Sequence, residues 1–156
     1  MLNKHSTSID IRNLALLCLI SFFSLSVSAI SDLESFDKVD IGINHAKYRL
    51  EIAKTQAQRS QGLMFRPSLA NKEGMLFIYN RPGDHRIWMK NTLIPLTVIW
   101  VDGDDRVIAI KLLQPCDTAF CTSYGVSQPS LYVIELNAGS HDINPGDSIN
   151  GLKLLE

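Results

Sequence analysis

The sequence predicts an all-β domain, barrel-like or sandwich, with one or two short helices. Three observations lead there. Short apolar segments recur between Gly/Pro turns, and little helical periodicity separates them. Several of these segments carry apolar residues on both parities, as strands covered on both faces do. Asp102-Gly103-Asp104-Asp105 joins two of them as the plainest hairpin in the chain.

Residues 1–29 stand apart from that domain. Lys4 and Arg12 give a positive start, Leu14 to Val27 is an apolar run, and Val27-Ser28-Ala29 is a small-residue cleavage site. A membrane helix needs about 20 apolar residues, so a cleaved signal peptide is the expectation. The protein would then be exported: periplasmic in a Gram-negative cell, otherwise extracellular, and in touch with the membrane only through that peptide. Cys18 follows Leu17 inside the run, which does not suit lipid attachment. Losing Lys4, Arg12 and Asp10 takes the net charge from -1 to -2. No nucleic acid is therefore expected as a partner. Residues 30–46 read as a leader segment and 47–156 as a single β domain. A chain of this length buries a core without help from a metal.

Along the domain, Lys47 to Ala53 alternates charged and apolar, a half-buried strand with Tyr48, Leu50 and Ile52 inward. Thr55-x-x-Gln58 has the form of a capping box, and Gly62 suits the close of a two-turn helix. So short a helix must lie on the sheet, through Ala57, Leu63 and Met64. Phe65-Arg66-Pro67 is a loop exit. Gly74 to Tyr79 is apolar on both parities and reads as a central strand, closed by the turn Asn80-Arg81-Pro82-Gly83.

Ile87 to Val101 is the stretch that organises the rest. It reads as two strand segments broken by Pro95, which offers no N–H to a ladder. The second half is scaffold. Lys90 and Asn91 stand where a core strand would carry aliphatics, so the first half borders any working surface. The hairpin returns through Arg106 to Leu113. Gln114 to Pro129 is then a long loop, and loops of that length are functional, disordered or stapled. Leu131 to Leu136 resumes the sheet, and Asn137 can start a helical turn through Ser140. Asn144-Pro145-Gly146-Asp147 is a tight turn before a last strand near Ser148 to Leu154.

Few residues in this frame carry chemistry. Cys116 and Cys121 are the two cysteines left after cleavage, and in an exported chain they read as a disulfide pinching the long loop. Redox exchange and zinc are the weaker alternatives, since the spacing is not C-x-x-C and no further ligands flank the pair. Ser140-His141-Asp142 is not a catalytic triad, because three consecutive side chains point in different directions. Asp102, Asp104 and Asp105 lack the pattern of a calcium loop. Met64, Met75 and Met89 with His85 could hold Cu(I), although methionine is also an ordinary core filler. Glu135 interrupts an apolar strand. Carboxylates are seldom buried without a partner, so an inward Glu135 calls for Arg66 or Lys90 as its counter-charge.

Taken together, Arg59-Ser60-Gln61-Gly62-Leu63-Met64-Phe65-Arg66, Glu73-Gly74-Met75-Leu76-Phe77 and Trp88-Met89-Lys90-Asn91-Thr92-Leu93-Ile94-Pro95-Leu96 form an ordered set of motifs. Cys116-Asp117-Thr118 with Cys121, Glu135-Leu136-Asn137-Ala138-Gly139 and Pro145-Gly146-Asp147 complete it. The set resembles the domain of unknown function 192 family, and the match runs from about Lys47 to Leu154. One departure is Thr122, where many members have proline. The resemblance implies a small, mostly β, often exported domain, and it transfers no catalytic residue. The matched polar positions Arg66, Glu73, Lys90, Asn91, Asp117 and Glu135 are offered only as a shared surface or as loop-holding groups.

The leading functional reading is a non-enzymatic binding module of the cell envelope, for an unknown small molecule or envelope protein, with no cofactor and no metal. Its expected binding residues are Arg66, Trp88, Lys90, Asn91, Asp117 and Glu135. They would lie between the Met64–Arg66 exit loop, the Trp88–Asn91 strand and the cysteine loop, with Phe65 and Tyr124 adding apolar contact. The alternatives are a hydrolase using Glu135 or Asp117 as acid or base, and a Met/His copper-binding protein. An interaction domain adding a strand to a partner's sheet is a further possibility. An open pocket reached by a carboxyl of strongly raised pKa would favour the enzyme.

Overall fold

A computed structural model describes residues 35–139 and 142–155. Its frame is a seven-stranded sheet in the order β6-β5-β8-β3-β2-β1-β9. In chain order the strands are β1 (Lys38–Ile43), β2 (Ala46–Ala53), β3 (Glu73–Gly83), β4 (Ile87–Trp88), β5 (Leu96–Val101), β6 (Val107–Leu113), β7 (Ser123–Tyr124), β8 (Ser130–Asn137) and β9 (Ile149–Asn150). The short β4 and β7 pair with each other as a separate ribbon. Helix α1 (Gln56–Gln61) and a closing 3₁₀ turn at Leu152–Leu155 complete the architecture. The fold is all-β, as its turn-punctuated apolar segments predict.

Two apolar clusters sit on opposite faces of the sheet. Along β8, Ile134 and Leu136 enter one cluster and Val133 the other, as the two-residue period of a strand requires. β5 is buried at all six positions, because it lies between β6 and β8 and both its faces are covered. Every pairing in the sheet is antiparallel except β2 with β3. Those two run parallel because the chain crosses over between them through α1.

α1 begins on the expected capping box. Thr55 Oγ1 accepts from the Gln58 N–H at 3.1 Å, and Gln58 Oε1 accepts in return from the Thr55 N–H at 3.1 Å. The inward residues differ from expectation. Ala57 is exposed and Gln58 is turned in, donating to the Ser35 carbonyl at 3.0 Å, while Leu63 is buried just past the helix. The capping bond holds Gln58 in place, so polar satisfaction decides this face rather than hydrophobicity.

The expected leader, 30–46, is corrected from Lys38 onward. β1 pairs along its whole length with β2, and Ile41 and Ile43 are core residues. Val39, Ile41 and Ile43 alternate like any half-buried strand, and the turn at Asn44, with φ 52°, folds that strand back onto β2. The expected signal peptide, residues 1–29, lies outside the described residues.

Smaller differences are local. Asn80–Gly83 stays in β3 with a register irregularity rather than forming a separate turn. β8 extends to Asn137, so no helix starts there, and Ser140 and His141 lie outside the described residues. The last strand is only two residues long, and positive φ at Gly151 turns the chain into the 3₁₀ turn. Segment 144–150 also ties the two ends of the sheet together. It bonds β6 through Val107 and pairs with β1 through β9, so the sheet curls into a half-barrel.

Candidate functional site

β8 places Glu135 beside Met75 of β3 on one side and Val98 of β5 on the other. Its side chain therefore enters the second apolar cluster, and the residue is 4 % exposed. Among the described residues it has no hydrogen-bond or ionic partner. Loss of hydration pushes its carboxyl up to about 8, so it is neutral through most of the physiological range.

Glu135 nevertheless lines a pocket of about 50 Å³. Arg59, Gln61, Gly62 and Leu63, from the end of α1, form one wall. Phe77 and Tyr79 come from β3, and Arg86, Ile87, Trp88 and Thr92 from the β4 segment. Tyr79 lies near both Arg59 and Glu135. Burial pushes its phenol up to about 12, the Arg59 charge opposes that rise, and the Glu135 charge adds to it. The Arg59 guanidinium sits 5.0 Å above the Tyr79 ring, and His85 stacks on that ring at 3.5 Å. Arg59 Nη1 donates to the Lys54 and Ile78 carbonyls at 2.6 and 3.0 Å. Arg86 donates from each of its nitrogens, Nε and Nη2 to Ser123 and Nη1 to Asp84.

Close in the chain to the lining residues Leu63 and Thr92, the backbone is unusual. Phe65 and Asn91 both adopt positive φ, 62° and 55°. The Phe65 N–H donates to the Asn91 carbonyl at 2.8 Å, which locks the exit loop to the β4 segment. A bulky residue in this conformation costs on the order of 1–3 kcal/mol and persists only where its surroundings hold it. Phe65, at 68 % exposure, is held outward rather than used in the core.

The model of one protein family matches residues 38–151, most of the described chain. The chain belongs to the DUF192 family. That family is described only as "Uncharacterized ACR". Comparison with curated proteins gives no match. Two solved structures are similar to this DUF192 domain. One, from Sinorhizobium meliloti 1021, is provisionally described as a transcription regulator; it is 30 % identical, with TM-score 0.68, over 76 % of this chain and 97 % of its own. The other, a protein of unknown function from Novosphingobium aromaticivorans DSM 12444, is 34 % identical, with TM-score 0.68, over 79 % of this chain and 91 % of its own.

The DUF192 fold brings together the three segments expected to frame a site. Phe65 bonds to Asn91, Lys90 bridges to Cys116, and Trp88 pairs with Ser123. The six expected residues do not all converge. Trp88 lines the Glu135 pocket and is 45 % exposed, with the Lys90 ammonium 5.2 Å from its ring. Asn91, which is outside the pocket lining, contacts the Met64 sulfur. Asp117 lies instead in a separate hollow of about 220 Å³ beside the cysteine loop, with Met89, Phe120 and Tyr124.

Arg66 is corrected as a partner for Glu135. It forks onto Glu51, with Nη1 to Oε1 at 2.9 Å, and this bond holds the Glu51 carboxyl below its usual range. Glu51 faces Met75 across β2 and β3, and Met75 in turn faces Glu135, so one core side chain separates the two carboxylates. Lys90 is exposed, with its ammonium over the Trp88 ring, and forms no ion pair with Glu135.

The disulfide between Cys116 and Cys121 is present. Met75 and Met89 are fully buried in the second cluster, where their thioethers fill space. Asp102 Oδ1 accepts from the Asp104 and Arg106 N–H groups, the hydrogen bonding of a turn. Sequence reasoning missed Arg59, Tyr79 and Arg86. Arg59 and Tyr79 are 20 positions apart in the chain, and only the α1 crossover puts one over the other.

Proposed function

We propose that this DUF192 protein is a small-ligand binding module of the cell envelope that works through the pocket above Glu135. The observation supporting it is a buried carboxyl without a partner among the described residues that lines an opening to solvent. Such a group costs stability in the empty protein, and a ligand that completes its hydrogen bonding recovers the loss. The exposed Trp88 at the mouth adds apolar contact. The regulator description of the Sinorhizobium relative is not extended to this chain, whose net charge of -1 offers no electrostatic grip on DNA.

A second reading rests on the same burial and pocket lining. A carboxyl near 8 in an open pocket is poised as a general acid, which suits a hydrolase-type enzyme using Glu135. Asp117, in its own hollow, does not join it.

A thermal-shift panel of small polar metabolites tests both readings on the wild type, Glu135→Leu and Arg66→Met. At least one compound is expected to stabilise the wild type and Arg66→Met but not Glu135→Leu. At 100 times Kd the gain would be about 2.7 kcal/mol. Silence across the panel, or equal shifts in Glu135→Leu, sinks the binding reading. Turnover of a bound compound that is lost in Glu135→Gln decides for the enzyme.

A further inference from the structure

We propose that the pocket is built for a small free carboxylate, gripped by the Arg59 guanidinium and accepting a hydrogen bond from the Glu135 carboxyl. The inference rests on the reading of this pocket as a ligand site and adds the chemical class.

Three features of the lining carry it. The first is the unspent capacity of Arg59. Both of its hydrogen bonds leave from Nη1, to carbonyls that fix the guanidinium over Tyr79. Among the described residues nothing takes a hydrogen bond from Nη2 or Nε, so one edge of the donor fork stays available. That edge matches the two oxygens of a carboxylate. Arg86 is more committed, since Ser123 and Asp84 take a hydrogen bond from each of its three nitrogens. It contributes a positive charge that Asp84 partly offsets.

The second feature is Glu135 itself. Without a counter-charge it stays protonated, and its O–H then lacks an acceptor. A carboxylate oxygen is a strong acceptor, and the pair resembles two carboxyls sharing one proton. A cationic ligand would instead have to settle beside two guanidiniums.

The third feature is size. A volume of about 50 Å³ admits a head group of a few heavy atoms and little more. A free monocarboxylate fits that limit better than a carboxylate at the end of a peptide.

Binding would couple to the Glu135 proton. Other charged or titratable groups surround it: Tyr79 with His85 stacked on it, Arg59 from α1, and Arg86 with Asp84 ahead of β4. Lys90 lies over Trp88, Lys111 over Trp100, and the Glu51–Arg66 pair beyond Met75. A Glu135→Gln variant separates its proton from theirs, because the amide keeps a donor but cannot ionise.

The test is calorimetric titration of the purified chain with acetate, N-acetylglycine and methylammonium at pH 6.5 and 9.5, either side of about 8. Acetate should bind saturably at the lower pH and at least about tenfold more weakly at the higher one, as two carboxylates come to oppose each other. N-acetylglycine should bind more weakly than acetate. Glu135→Gln should bind acetate almost equally at both values, and Arg59→Met should lose it at both. Should Arg59→Met fold poorly, Arg59→Lys keeps the charge and removes the fork, and is expected to weaken binding as well.

A pH dependence that survives in Glu135→Gln overturns the proposal. Saturation by methylammonium and not acetate overturns the ligand class while leaving the binding site standing. Silence from all three probes, with a Glu135-dependent hit elsewhere in the metabolite panel, does the same. Silence everywhere removes site and class together.

Discussion

Glu135 puts a single proton in control of part of this protein's stability. In the unfolded chain its carboxyl titrates at about 4.3. In the folded chain burial raises it to about 8. Below the unfolded value both states hold the proton and the native state is not penalised. Between the two values the unfolded chain releases the proton while the folded one keeps it, so stability falls as pH rises. The decline ends once the folded carboxyl ionises as well. Glu51 acts in the opposite sense. Its depressed carboxyl contributes stability above the unfolded value, and this is lost as pH falls through the folded one. The interval from pH 5 to 9 therefore reports on Glu135 rather than on Glu51. Thermal melts followed by circular dichroism should show wild-type Tm dropping across that interval, while Glu135→Gln stays nearly flat and becomes the more stable protein at pH 9. Parallel profiles would mean that the carboxyl is hydrated or paired. Arg66→Met should lower stability by about 1–2 kcal/mol, because Glu51 would lose its fork of hydrogen bonds in a half-buried setting. Acetate binding should be unchanged.

Gly74 shows how one element constrains its neighbour. It faces Leu136 on β8, and a Cβ there would collide with the Glu135 carbonyl oxygen and press on the Leu136 side chain. Its backbone conformation is ordinary, so close approach of the two strands is what demands glycine. Gly74→Ala should cost at least about 3 kcal/mol, or prevent folding, by forcing apart the strands that seat Glu135. Chemical denaturation measures the loss, and a change below about 1 kcal/mol would show that β3 and β8 separate easily. Many elements were legible in the residues. The capping box marks the start of α1, the Asp/Gly run marks the β5–β6 hairpin, and Pro95 marks the entry to β5. β1 was not, because a six-residue strand with a glycine and two charges looks like a polar approach to the domain until β2 supplies its partner. The inward turn of Gln58 was hidden for a related reason. Its acceptor, the Ser35 carbonyl, is 23 residues away.

At the scale of the whole molecule, the proposed site sits where the central sheet meets its cover of α1 and the β4–β7 ribbon, next to the cysteine loop. The disulfide pins that loop beside Lys90 through the bridge at Cys116. Its ring is small, so the chain-entropy model assigns it about 2 kcal/mol. Replacing both cysteines with serine should lower unfolding stability by about that amount while β5 and β8 stay folded. Urea titration and amide exchange together check this, and loss of protection in β8 would show that the loop supports the core rather than the rim.

The sequence by itself determined the strand-rich class, the turns, the cap, the family and the isolation of one acid within an apolar strand, since each is written in neighbouring residues. Tertiary structure alone decided who meets whom. It paired Arg66 with Glu51, set Arg59 over Tyr79 and left Glu135 facing a pocket. Such pairings depend on strand order and on a parallel crossover, and local periodicity carries no information about which strands lie side by side.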